Sequence, residues 1–203
     1  MTTQPANYRP RQPGDFIGPA ARLASVLERK ARHARETGNA LKLLLRGEPG
    51  TGKTSLVNMV SDILAGHKTQ VESINGRNVT IEAVRRWGDS LPYRSLHAGF
   101  RVIIVNEFDT IPGAAQDALL SLLDDLPDNW AFLATSNARL DQITDRLQTR
   151  LQQFTVSLPS EAEIAGLLER FGCNGQSGRI AAGCKGNVRA ALLDAQSVLD
   201  CAN

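Results

Sequence analysis

The stretch Gly47-Glu48-Pro49-Gly50-Thr51-Gly52-Lys53-Thr54 follows the pattern G-x-x-x-x-G-K-[ST]. Its glycines let successive backbone N–H groups turn inward around phosphate oxygens, which a chain bearing Cβ atoms at those positions could not do. The flanks supply the context that the pattern needs. Residues 41–45 are a short, mostly apolar run, and Leu56, Met59, Val60, Ile63 and Leu64 recur at i, i+3, i+4, i+7 and i+8. This is strand, loop, helix. The helix opens at Lys53 and aims the positive end of its dipole at the loop. Lys53 is then expected to reach the β and γ oxygens of a nucleotide, with the Thr54 hydroxyl on magnesium and residues 48–55 around the phosphates.

The same alternation continues outward. Residues 71–74 read as a strand, 81–87 as a helix, 102–105 as a buried strand, 118–126 as a helix, and 130–135 and 154–156 as the last two strands. Five strands interleaved with helices indicate an α/β fold with a parallel sheet covered on both faces. Upstream, residues 20–36 carry Leu23, Val26 and Leu27 at helical spacing and stop at Gly38. The basic residues of that helix suit nucleic acid or a solvated face, and no function is assigned to them. Leu158-Pro159 breaks the pattern, and Ser160-Glu161-Ala162-Glu163 forms a capping box opening a new helix. Only helical segments follow, at 164–171, 178–182 and 188–199. The expected division is a nucleotide-binding domain at 1–157 and a helical lid at 158–203.

The strand 102–105 ends in Asn106-Glu107, the layout of a Walker B element. Downstream of a phosphate loop, Glu107 is expected to orient and deprotonate an attacking water, whereas alone it would read as a cap or a solvated strand end. Asn106 stands where an Asp carboxylate commonly holds the magnesium shell. Its amide offers one acceptor oxygen and no charge, which implies weaker metal binding and slower hydrolysis.

Composition narrows the class. The chain has 203 residues, 42% hydrophobic and 22% charged, with a net charge of +2, values ordinary for a soluble globular fold. No apolar run approaches a membrane span, and residues 1–14 are polar and Pro-rich without a leader-like core, so a cytoplasmic protein is expected. Cys173, Cys184 and Cys201 lack C-x-x-C spacing, and His33, His67 and His97 lack a ligand spacing.

With the loop and the Walker B element in hand, nearly the whole chain resembles the AAA+ ATPases, a P-loop NTPase class, and within them the clamp loaders. Tyr8-Arg9-Pro10, with Asp15-Phe16-Ile17-Gly18, looks like the segment that wraps the adenine. Ala134-Thr135-Ser136-Asn137 resembles sensor 1, with Asn137 near the γ-phosphate. Arg150 is placed like the arginine of a Ser-Arg-Cys motif, although Thr149 and Leu151 replace the flanking residues. Gly186-Asn187-Val188-Arg189 resembles the start of sensor 2, with Arg189 folding back on the phosphates.

The resemblance implies ATP and Mg2+ as cofactors, and a homo- or hetero-oligomer of AAA+ subunits in which Arg150 reaches the ATP site of a neighbour. It also implies ATP-driven assembly in DNA replication or repair, with replication-protein partners and DNA along an inner surface that includes Arg85 and Arg86. A solvated helix face explains that pair equally well. Clamp loaders continue past the lid into a collar; this chain is then either part of a longer protein or assembles through another surface. Helicase loaders and branch-migration motors share the motifs, and Asn106 also suits a nucleotide-responsive scaffold with little turnover.

Overall fold

The computed structural model describes residues 4–93, 98–137 and 141–201; His97 lies outside them. The element order is α1 (Gly18–Thr37), β1 (Leu41–Arg46), α2 (Lys53–Leu64), β2 (Val71–Asn75), α3 (Ile81–Ser90), β3 (Arg101–Asn106), α4 (Gly113–Asp124), β4 (Trp130–Ser136), α5 (Asp145–Gln148), β5 (Gln152–Thr155), α6 (Glu161–Glu169), α7 (Ser177–Gly183) and α8 (Val188–Cys201). The strands form one parallel sheet in the order β2-β3-β4-β1-β5. Consecutive strands β1 and β2 are thus separated by β3 and β4. This opens a crevice at the carboxyl ends of β1, β3 and β4, where the chain reverses its direction of travel across the sheet.

The central strands are buried on both faces, as their unbroken apolar sequences require. Leu43, Leu45, Val102, Ile104, Ala131 and Leu133 pack against α1 and α2. Leu44, Ile103, Val105, Phe132 and Ala134 face the other way, toward Trp87, Leu119 and Leu123 of α3 and α4. Each buried Val, Leu, Ile or Phe among them contributes about 1.5–3 kcal/mol relative to exposure.

Two helices differ from their sequence expectation. The buried stripe of α1 is Ala20, Ala24, Leu27, Ala31 and Ala34, with Leu23 and Val26 only partly buried. Small residues at this spacing let α1 approach the sheet-covering α2 closely. Helix α4 starts five residues before 118, at Gly113 behind Pro112. Its first turn buries Ala115 and Gln116, too little apolar surface to show as a period. Gln116 is a buried clasp: its Nε2 donates to the Ile111 and Gln142 carbonyls at 3.2 and 2.8 Å, and its Oε1 accepts from the Thr144 N–H at 3.0 Å.

The helix signals at the ends of α1 and α6 hold. Gly38 stops α1 at φ +82°, its N–H donating to the Ala34 carbonyl. The Ser160 hydroxyl accepts from the Glu163 N–H at 3.3 Å, while the Glu163 carboxylate accepts from the Ser160 N–H at 2.8 Å. Helices α6, α7 and α8 gather around their own apolar cluster of Ile164, Leu168, Ile180, Ala191 and Ala195, which includes the two buried thiols Cys173 and Cys184. Among the described residues, no helix is long and apolar enough to cross a membrane.

Candidate nucleotide site

A cavity of about 570 Å³ lies at the crevice, within the size range of small-molecule sites. Four separate parts of the chain wall it. The arm before α1 brings Tyr8, Arg9, Pro10 and Ile17; the loop brings Pro49 to Ser55; the strand ends bring Asn106, Glu107 and Asn137; and α8 brings Val188, Arg189, Leu192 and Leu193.

The loop has the local geometry of an anion cradle. Gly50 and Gly52 stand at φ +81° and +94°, conformations costly for any residue with a Cβ. Gly47 is required for a different reason: a Cβ there would meet the Val156 carbonyl oxygen at 2.3 Å. No side chain caps α2, so the first-turn N–H groups of Lys53, Thr54 and Ser55 remain for an anion. Lys53 is 8% exposed as a residue, and its ammonium donates to the carbonyls of Gly47 and Glu48, both at 2.8 Å. Burial lowers its pKa, Asp109 and Glu48 push it back up, and the positive charge of Arg189 lowers it further. Two cations thus converge with an uncapped helix end, an arrangement that suits a polyphosphate.

Asn106 and Glu107 are tied to neighbouring strands. The Asn106 Oδ1 accepts from the Thr135 hydroxyl at 3.2 Å, and its Nδ2 donates to Ser73 Oγ at 3.3 Å. Thr135 Oγ in turn accepts from the Glu107 N–H at 3.4 Å. Glu107 itself adopts φ +53°, ψ +50°, the left-handed region, which costs a non-glycine residue about 1–2 kcal/mol. Its carboxylate accepts from Asn75 Nδ2 at 2.8 Å and Arg77 Nη2 at 3.0 Å. Those hydrogen bonds, Asn75 first, hold its pKa below the usual glutamate value. Gly76 permits this close approach, because a Cβ there would lie 2.2 Å from the Glu107 carbonyl oxygen.

The remaining expected residues divide. Asn137 lines the cavity, its N–H donating to Asp109 Oδ1 at 3.2 Å. Arg189 lines it from α8, just beyond Asn187, whose Oδ1 caps that helix through the Ala190 N–H at 3.1 Å. That amide sits directly on the loop, since a Cβ on Gly50 would fall 1.9 Å from Asn187 Oδ1. Tyr8 braces the arm, its hydroxyl donating to the Asp15 carbonyl and its ring meeting Phe171, just past α6, edge-on at 5.2 Å. Glu48 and Gly18 do not line the cavity: Glu48 offers its backbone carbonyl to Lys53 and Thr51, and Gly18 packs against Glu163 and Pro159.

Arg150 also lies outside the cavity, ion-paired to Asp124. Arg86 pairs with Glu72 at 2.5 Å, while Arg85 is exposed on the same helix. Asn75, Arg77 and Asp109 escaped sequence reasoning. A polar residue at the carboxyl end of the second strand was the available signal for Asn75; nothing in the strings marks the other two.

The residues present fit ATP and Mg2+ in kind: a backbone cradle, a lysine, a threonine hydroxyl at the helix start and an amide oxygen at the end of β3. A search of relatives finds 29% identity over 168 residues with replication factor C small subunit 2 of Pyrobaculum islandicum, covering 79% of this chain and 50% of that protein. Replication factor C subunit 3 of Saccharomyces cerevisiae is 29% identical over 161 residues, covering 76% and 46%. The chain spans about half the length of these relatives. Among solved structures, the Thermotoga maritima RuvB Holliday junction branch migration motor superposes with a TM-score of 0.74 at 19% identity, over 97% of this chain and 66% of that one, a likeness of fold. Residues 43–159, more than half of the chain, match the ATPase family associated with various cellular activities. The chain belongs to that family, AAA.

Proposed function

We propose that the chain binds ATP with magnesium and hydrolyses it at an interface between AAA+ subunits, driving an assembly or remodelling step in DNA replication or repair in the manner of a clamp loader. The observation that carries nucleotide binding is the convergence of Lys53, Arg189 and the uncapped start of α2 on one cavity. Magnesium held by Thr54, and partly through water by Asn106, would neutralise phosphoryl charge. Lys53 exchanges the Gly47 and Glu48 carbonyls for phosphate oxygens, and Tyr8, Arg9, Pro10 and Ile17 enclose the base. Asn137 and Arg189 contact the γ-phosphate, from the end of β4 and from the lid. The apolar cluster that α6–α8 build among themselves, against which Tyr8 and Ile17 of the arm also pack, supports treating residues 158–203 as a helical lid beside 1–157.

Glu107 is the proposed base, and in this conformation its carboxylate is engaged by Asn75 and Arg77. Arg77 is 67% exposed, so an anion such as a nucleic-acid phosphate can draw it away and leave Asn75 as the carboxylate's remaining restraint. Arg85, exposed on the helix that follows, suits the same ligand. The names of the matched relatives favour replication as the setting. A scaffold with slow turnover is the second reading, favoured by the neutral Asn106.

Arg150 lies outside its own cavity, which supports delivery to a neighbour's phosphates, where a supplied arginine can be worth about a thousandfold or more in rate. The test mixes Arg150→Ala subunits, whose own sites are intact, with Lys53→Ala subunits, whose arginine is intact. Recovery of phosphate release in proportion to mixed interfaces is expected. No recovery in preparations shown to co-assemble refutes the interfacial site.

A further inference from the structure

Arg150 is a surface arginine with an unusually determined side chain. Its Nε and Nη2 donate to the two oxygens of Asp124 at 2.7 and 2.8 Å, and its Nη1 donates to the Arg146 carbonyl at 2.6 Å. A guanidinium has five N–H donors, so these three bonds leave two, one on Nη1 and one on Nη2. A planar fork with two donors remaining can still meet phosphoryl oxygens.

From this geometry we propose that Asp124 is a positioning residue: it holds Arg150 extended, with two donors free, for the phosphates of a neighbouring subunit. The inference rests on the reading of Arg150 as an arginine supplied in trans. Fold stability is a minor part of what the pair does: the side chains are 27% and 53% exposed, so solvent screens even this bidentate pair. Asp124 is moreover the last residue of α4, where the helix dipole disfavours a negative charge and where Lys42 already serves the end of the helix by donating to the Leu123 carbonyl at 2.8 Å. A carboxylate there acts through the cations it faces, Arg150 first and then Lys42 and Arg146. Arginine has wide rotamer freedom, and fixing it before subunits meet removes an ordering cost from docking and from the reaction itself. The Arg150 pairing also lowers the Asp124 pKa, which keeps the carboxylate charged to a lower pH.

The test uses the full chain in its assembled form and compares Asp124→Ala, Asp124→Glu, Arg150→Ala and the Asp124→Ala/Arg150→Ala double variant. Asp124→Ala should lower kcat by between about tenfold and a hundredfold, the cost of a misplaced reacting group, with the KM for ATP and the melting temperature unchanged. Asp124→Glu should recover part of the rate, and the double variant should be no slower than Arg150→Ala alone. Wild-type kcat in Asp124→Ala beside a slow Arg150→Ala overturns the positioning role and leaves the arginine reading standing. Multiplying rate losses in the double variant overturn it in the same way. Wild-type kcat in Arg150→Ala overturns both.

Discussion

Replacing Arg77 with alanine tests whether the carboxylate of Glu107 is restrained in the conformation described. The carboxylate accepts from Asn75 at 2.8 Å and from Arg77 at 3.0 Å, and the role of base proposed for Glu107 requires that it leave both. The Arg77 side chain is 67% exposed and that of Glu107 43%, which puts the pair in the range of about 0.2–1 kcal/mol measured for exposed ion pairs. Removing up to about 1 kcal/mol from the restrained state raises the population of free carboxylate by a factor of at most about five. The Asn75 hydrogen bond to a charged acceptor, worth about 1.5–3 kcal/mol, remains and keeps the free fraction small. Arg77→Ala is therefore expected to raise kcat by about twofold to fivefold without DNA, as read by steady-state phosphate release at saturating ATP. The KM should not move, because Arg77 does not line the cavity. Stimulation by DNA should shrink in the same variant. The Glu107 pKa, now held down first by Asn75 and then by Arg77, should rise toward the ordinary glutamate value of about 4.3. A depressed carboxylate pKa contributes stability that is present above the unfolded value and lost as acid takes the group through its folded value. Arg77→Ala should accordingly lose less stability between neutral and acid pH. An unchanged or reduced kcat with intact folding refutes the restraint.

Lys53→Ala should weaken ATP binding by about a hundredfold, as two charge-assisted hydrogen bonds are lost, while circular dichroism stays unchanged; unaltered affinity by calorimetry removes the site assignment. Asn106→Asp should raise turnover and lower the magnesium concentration needed for half-maximal rate, and a variant no faster at saturating magnesium identifies Asn106 as an adapted residue. Gly50→Ala should lower the melting temperature by about 4–15 °C, combining about 1–2 kcal/mol of left-handed strain with about 0.5–2 kcal/mol for the displaced Asn187 cap. Adding Asn187→Gly should remove the steric part of that loss, and no interaction between the two changes refutes the contact of α8 with the loop.

Much of this molecule is written locally. The alternation of apolar runs with helical periods states a parallel sheet covered on both faces, because burial on both sides of a strand and on one side of a helix each leave their own spacing. The phosphate loop is legible for the same reason: glycine conformations, the helix start and the placing of Lys53 all depend on neighbours within one short segment. The capping box at Ser160 and the glycine stop at Gly38 belong to the same kind.

What the strings leave open are pairings across long separations. Glu107 meets Asn75 and Arg77 from 32 and 30 positions away only because β2 lies beside β3, and Asp124 meets Arg150 across 26 because α4 and the turn before β5 end side by side. Asn187 reaches Gly50 only because the start of α8 packs against the phosphate loop. Polar side chains at the ends of elements carry no periodicity. Their partners are chosen by the order in which strands pack, a free-energy minimum of the whole sheet and its covering helices and not of any segment within it.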